Sequence, residues 1–189
     1  MITVIEPCCY PKQLTMNLEK AEKGSGVAHF FSFSDWGTDE LVPWALSSVP
    51  DCDAVLCLVR MDFRTIYMLQ KLLSKMYFDR DVNKERYVVG HLTIITQTMR
   101  DEPERQRHEF RAQLGRFIDQ GRVTVCEDNI GFRCIAAGNK TRHIVIQGSL
   151  NQGNMEPCCQ MYTMTTTLGA YNQAMEMFGS KARIKRVDL

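Results

Sequence analysis

No stretch of the sequence approaches the roughly 20 consecutive apolar residues that a membrane-spanning helix needs. Residues Met1 to Pro7 hold neither the basic region nor the long apolar core of a secretory signal. A cytoplasmic protein with no membrane partner is therefore expected. Excess charge of one sign is also missing: 23 basic residues against 22 acidic ones leave a formal charge of +1. No overall field attracts nucleic acid or membrane, so any such site must be local. Histidine is scarce, at positions 29, 91, 108 and 143 alone. Internal repeats and long linkers are absent, and at 189 residues the chain suits one domain.

Cysteine is plentiful, with eight residues, yet no two form a C-x-x-C pair. In a reducing compartment all eight are expected as free thiols. Cys8-Cys9 and Cys158-Cys159 are vicinal, and neighbours in a strand point to opposite faces, which serves one zinc ion poorly. Cys52, Cys57, Cys126 and Cys134 lie in or beside apolar strands, where cysteine behaves as a small hydrophobe. Neither a metal nor a cofactor is expected.

Hydrophobic residues make up 44% of the chain and charged residues 24%, as in ordinary folded proteins. Periodicity predicts strands at Val27–Phe33, Asp53–Val59 and Tyr87–Thr96. A short helix capped by Thr38 follows the first strand. A second helix carries Ile66, Leu69, Leu72, Leu73 and Met76 as its apolar stripe. A third carries Phe110, Leu114, Phe117 and Ile118 and stops at Gly121. Short strands then follow at Arg122–Cys126, Phe132–Ala137, Arg142–Gln147 and Cys158–Met164, with Gly138-Asn139 in one turn. A last helix presents Leu168, Tyr171, Met175 and Phe178. This order predicts an α/β fold, a mixed β-sheet flanked by helices. Residues 1–180 form its single domain, and Lys181, Arg183, Lys185 and Arg186 belong to a frayed basic tail, 181–189.

The most informative segment runs from Arg142 into Gly148-Ser149-Leu150-Asn151. On an extended chain Ser149 and Asn151 point the same way, beside a glycine that admits a ligand to the backbone. A polar turn closing a strand is the competing reading. Phe31 to Leu41 (FSFSDWGTDEL), a charged helix over Pro103–Gln120 and the strand Arg122–Cys126 precede this segment in order. Together these features resemble the phospholipase D-like superfamily, in particular its small, single-motif bacterial and phage nuclease-like members, over residues 27 to 178.

That resemblance implies a His-x-Lys pair on the strand before Gly-Ser-x-Asn. The histidine would attack phosphorus, and the lysine, serine and asparagine would hold phosphate oxygens. Here Gly131 falls near the histidine position and Arg133 near the lysine position, and no histidine lies between 109 and 142. His143 is six strand residues from Ser149, His29 and His91 read as core or rim residues, and His108 as solvated. Glu156 comes too early to match the family's following acid. The expected protein is catalytically inactive and binds a phosphate-bearing ligand, nucleic acid before others, through Arg133, Gly148, Ser149 and Asn151. One motif per chain implies a homodimer. Two alternatives stand beside it: a phosphodiesterase or nuclease with a non-standard nucleophile, and a structural dimer that recruits a protein partner.

Overall fold

The computed structural model describes residues 10–33, 37–58, 61–96, 103–128, 132–149 and 159–184. Helix α1 (Tyr10–Lys23) precedes strand β1 (Val27–Phe33), and α2 (Gly37–Ser47) leads to β2 (Cys52–Leu58). Then come α3 (Phe63–Ser74), a hairpin of β3 (Met76–Asp79) and β4 (Lys84–Tyr87), β5 (Val89–Thr96), α4 (Glu104–Asp119) and β6 (Val123–Glu127). Strands β7 (Phe132–Gly138), β8 (His143–Ser149) and β9 (Cys159–Thr165) and helix α5 (Leu168–Ile184) complete the order.

Seven strands form one sheet in the order β1-β9-β8-β7-β2-β5-β6. The pairs β2–β5 and β5–β6 are parallel, and β1–β9, β9–β8, β8–β7 and β7–β2 are antiparallel. The expected mixed sheet flanked by helices is what the chain forms. Each face carries its own core. Phe30, Leu56, Ile94, Ile135, Ile146 and Met164 point into the larger core, together with side chains of α1 to α4. Val55, Cys57, Ile95, Cys126, Cys134, Ala136 and Val145 point the other way, under Ala174 and Phe178 of α5. Alternation along each strand sends successive residues to the two cores.

Local chemistry sets the element ends. Asp62 accepts a hydrogen bond from the Thr65 amide at 2.8 Å, capping α3. Gly121 takes φ +69 and donates its amide to the Ile118 carbonyl at 2.9 Å, which ends α4.

Several expectations need correction. Helix α1 lay unread in the sequence. Helix α2 starts at Gly37, so Thr38 lies inside it. Helix α3 stops at Ser74, and Met76 opens the hairpin instead of extending the helical stripe. The strand read as Tyr87–Thr96 divides at Val88, whose amide bonds Lys75 while its carbonyl receives the Cys52 amide. That residue carries the chain from the small ribbon into the main sheet. Of the four residues expected on the inner face of α5, Phe178 is buried and Tyr171 and Met175 pack partly buried beside it and Ala174, while Leu168 is exposed. Lys181 and Arg183 lie within α5, and the tail beyond Ile184 falls outside the described residues. No helix among the described residues is long and apolar enough to cross a membrane.

Candidate functional site

Strands β1, β2, β5, β6 and β8 all finish at one end of the sheet, where the antiparallel β7 and β9 begin. Open α/β sheets bind ligands at the carboxyl ends of their strands. Arg133, Gly148 and Ser149 all belong to this end. Gly131 and Asn151 lie outside the described residues, as does Glu156.

Arg133 stands opposite Gly148 on β8, and Gly148 opposite Tyr162 on β9. Tyr162 in turn stands opposite Phe30 on β1. One row thus crosses four strands on the larger-core face. The Tyr162 and Phe30 rings stack with centroids 5.4 Å apart and planes 15° from parallel. The Arg133 guanidinium lies near enough to the Tyr162 hydroxyl for its positive charge to act there. Burial pushes the phenol's pKa up, and the positive charge of Arg133 works against that rise.

Gly148 also serves the packing of its neighbour. A Cβ there would stand 2.5 Å from Tyr162 Cε1 and 2.7 Å from Cδ1. The bare glycine makes room for the Tyr162 ring. Tyr162 was not singled out from the sequence. Its signal there is indirect: a glycine inside an alternating strand calls for a bulky neighbour, but the register that identifies the neighbour is not written locally.

Ser149 pairs with Phe132, one position along from the Arg133–Gly148 pair. Opposed residues of an antiparallel ladder share a face, and faces alternate, so position 149 belongs to the α5 side and Arg133 to the other. The register therefore joins Arg133 with Gly148 and Tyr162 and sets Ser149 across the sheet. Any ligand touching both must lie over the end of the strands.

Arg133 also lines a small cleft of about 20 Å³ whose other walls include Leu41, Val42, Leu58, Ile135 and Tyr162. Among the described residues no carboxylate lines it. A guanidinium in apolar walls, with no carboxylate among the described ones, is a forked donor suited to a carboxylate or phosphate.

All four histidines are described, and none joins this cleft. His143 opens β8 at the opposite end and packs against Tyr171, ring centroids 5.1 Å apart. His91 lies near the start of β5, with Nε2 3.2 Å from Thr124 Oγ1. His29 meets Thr163 Oγ1 at 3.1 Å, in the row opposite Gln147 and Cys134 on the α5 face. His108 is exposed on α4. Cys52, Cys57, Cys126 and Cys134 are free and buried. Burial pushes the Cys52 thiol up to about 12, which makes it a packing group and not a nucleophile.

Solved structures share this architecture. Nuc from Salmonella typhimurium, a phospholipase D family member, superimposes with a TM-score of 0.53 at 11% identity, over 86% of this chain and 98% of its own. The chain has a phospholipase D-like fold. NucT from Helicobacter pylori gives 0.52 at 12% identity over 86% and 99%. TrmBL2, an archaeal chromatin protein whose structure shows a mode of DNA binding, gives 0.52 at 10% identity, over 94% of this chain and 62% of that one. No family model matches the sequence, and no curated protein does.

Proposed function

We propose that this phospholipase D-like chain is a catalytically silent, homodimeric protein that binds a phosphate-bearing ligand, nucleic acid before others, at the carboxyl end of its sheet. The carrying observation is Arg133, a cation braced by Tyr162 in a cleft with no carboxylate among its described walls. Ser149 and Asn151 would add polar contacts from the end of β8 and the segment beyond it, and Gly148 keeps Tyr162 in place behind Arg133. Catalytic silence is supported by the histidines, which all lie away from the cleft. Nucleic acid is favoured because a protein of this fold, TrmBL2, binds DNA. The dimer follows from the single Gly-Ser-x-Asn segment per chain, since a two-fold axis would bring two such ends together.

The test is a binding titration of labelled single- and double-stranded oligonucleotides. A charge-assisted bond from guanidinium to phosphate contributes roughly 1.5–3 kcal/mol, so Arg133→Ala should weaken binding about ten-fold or more. Removing residues 185–189, which spares α5, should have a smaller effect that fades as salt rises. Hydrolysis of a simple phosphodiester should be undetectable, and sedimentation should give a dimer. If Arg133→Ala binds like the parent, the cleft is not the site. Turnover abolished by a single histidine substitution would restore the enzymatic reading.

A further inference from the structure

Two arginines meet near the amino ends of β5 and β6, at the other end of the sheet from Arg133. Arg122, just before β6, donates from Nη2 to the Leu73 carbonyl at 3.0 Å and the Val89 carbonyl at 2.7 Å, and from Nε to the Gly90 carbonyl at 3.5 Å. Its Nη1 is buried without a hydrogen-bond partner, and the Tyr87 ring covers one face of the guanidinium, centroid to Cζ 3.5 Å. Arg116, exposed in the last turn of α4, donates from Nη2 to Ser74 Oγ at 2.6 Å. Ser74 Oγ itself donates to the Gln70 carbonyl at 2.8 Å, which turns a lone pair to Arg116. Leu73 and Ser74 are consecutive, so the last turn of α3 gathers both guanidiniums. Both also lie against the Phe117 ring, at 4.4 Å for Arg116 and 5.3 Å for Arg122. Burial draws the Arg122 pKa down, Tyr87 opposes this, and the Arg116 charge adds to the fall.

Among the described residues neither guanidinium forms an ion pair. The acids on α4 that come nearest in sequence are engaged elsewhere. Asp119 meets Arg111 at 3.1 Å, and Glu109 accepts from the Tyr67 hydroxyl at 2.6 Å and the Gln113 amide at 2.9 Å. Arg122 serves the fold, because it satisfies three carbonyls. Arg116 has one bond to a serine, and holding it beside a like charge is unfavourable unless an anion joins them.

We infer that Arg116 and Arg122 form a binding site for a divalent oxyanion of the phosphate-monoester class. Arg116 makes the direct bonds, Ser74 holds its guanidinium in place, and the charge of Arg122 adds to the attraction. Charge selects the ligand. Two neighbouring cations match a dianion, whereas a carboxylate or a nucleic-acid phosphodiester, with one negative charge, leaves one cation unmatched. The carbonyls that end α3 would repel an anion, but Arg122 occupies that of Leu73, and the Lys75 amide occupies that of Leu72 at 3.1 Å.

The test titrates inorganic phosphate into the full chain carrying Arg133→Ala, by calorimetry at constant ionic strength and about pH 8, where phosphate is a dianion. The Arg133→Ala background keeps the cleft at the other end of the sheet out of the measurement, so failure of one site leaves the other standing. Adding Arg116→Gln should weaken phosphate binding about ten-fold or more, and Ser74→Ala, which frees Arg116 from its place, by less. Arg111→Gln removes the same charge from the same helix and should leave binding within about two-fold, since an exposed charge elsewhere on the helix is screened. A single-stranded oligonucleotide is titrated in parallel, and circular dichroism verifies that each variant is folded. Absence of phosphate binding, undiminished binding by Arg116→Gln, or an equal loss in Arg111→Gln overturns the inference. Oligonucleotide binding that falls in Arg116→Gln, with no phosphate binding at all, overturns it in favour of a nucleic-acid contact.

Discussion

Replacing Gly148 with alanine tests the row that positions Arg133. The added Cβ would meet the Tyr162 ring at 2.5 Å, 2.7 Å and 3.3 Å from three of its atoms. The ring cannot easily yield: Tyr162 is 3% exposed and stacks on Phe30, which is fully buried. Either the tyrosine leaves its place or β8 and β9 part locally. Inserting volume into a packed core costs about 1–3 kcal/mol, and this overlap belongs at the upper part of that range. For a chain of this size each kcal/mol lowers the melting temperature by about 2–4 °C, so a fall of roughly 4–12 °C is expected. Urea unfolding with an unchanged m-value would give the free energy. A double-mutant cycle with Tyr162→Val separates the clash from any general intolerance of β8 to substitution, because without the ring the alanine should cost much less. Gly148→Ala within about 0.5 kcal/mol of the parent would refute the packing argument, that being the range of an ordinary surface substitution. So would an equal loss in the Tyr162→Val background.

Two further outcomes follow from the opposite end of the sheet. Asn139 Oδ1 accepts from the amides of Thr141 and Arg142 at 2.9 Å each, and Nδ2 donates to the Pro50 carbonyl at 2.8 Å. Asn139→Ala should therefore cost about 1–2 kcal/mol in urea unfolding and Asn139→Asp less, since the aspartate keeps both acceptor bonds; equal stability of all three proteins would contradict this. Alkaline pH should destabilise the fold. Burial lifts Cys52 from its ordinary 9.0 to about 12, so the unfolded chain releases this proton first and the folded chain retains it. Stability is then full below pH 9 and falls as pH rises toward 12, by up to roughly 1.4 kcal/mol per pH unit from this group. Burial of Tyr171, from 10.0 to about 12, adds a loss beginning one unit higher. Unfolding free energies between about pH 8 and 10.5 should fall less steeply for Cys52→Ala than for the parent, and parallel slopes would refute the assignment.

Periodic elements were legible in the sequence wherever one pattern held over a whole element. Val27–Phe33 matches β1, Gly121 ends α4, and Phe110, Leu114 and Phe117 are the buried face of α4. Legibility failed where the pattern served two elements at once. Ile66 to Met76 reads as one helical stripe, yet Met76 pairs with Tyr87 in the ribbon, because an exposed methionine continues a helical period by coincidence. Val88 reads as strand interior because both of its neighbours are strand residues. Its amide and carbonyl, however, serve different partners, a division that no local pattern encodes.

The site was less legible than the fold for a reason of parity. The residues likened to a phosphate cradle lie on two strands, and which of them share a face depends on the length of the loop between. The β7–β8 connection spans residues 139–142, because Gly138 pairs with His143 and the Asn139 amide bonds the Arg142 carbonyl at 3.0 Å. With four residues in the loop, odd positions on β7 oppose even positions on β8. Arg133 must then meet Gly148, and Ser149 must meet Phe132. A loop one residue shorter or longer would have put Arg133 and Ser149 on one face. The sequence shows the glycine, the asparagine and the alternation of both strands, but not the pairing that Asn139 enforces through Thr141, Arg142 and Pro50. Asn139, which touches no part of the cleft, holds this turn, while Ile144 and Ile146 hold β8 in the larger core. A variant with one residue inserted after Lys140 puts this to the test. Keeping the β7 pairing with β2 would force β8 either to slip, sending Ile144 and Ile146 to the α5 face, or to absorb the residue in a bulge. Because Ile144 and Ile146 are at most 1% exposed in the larger core, the slip costs far more than the bulge. The insertion should thus fold with Arg133 still opposite Gly148, detectable as retained oligonucleotide binding and retained sensitivity to Arg133→Ala. Loss of that sensitivity in a folded insertion variant would show that the loop length, and not the core, sets the register.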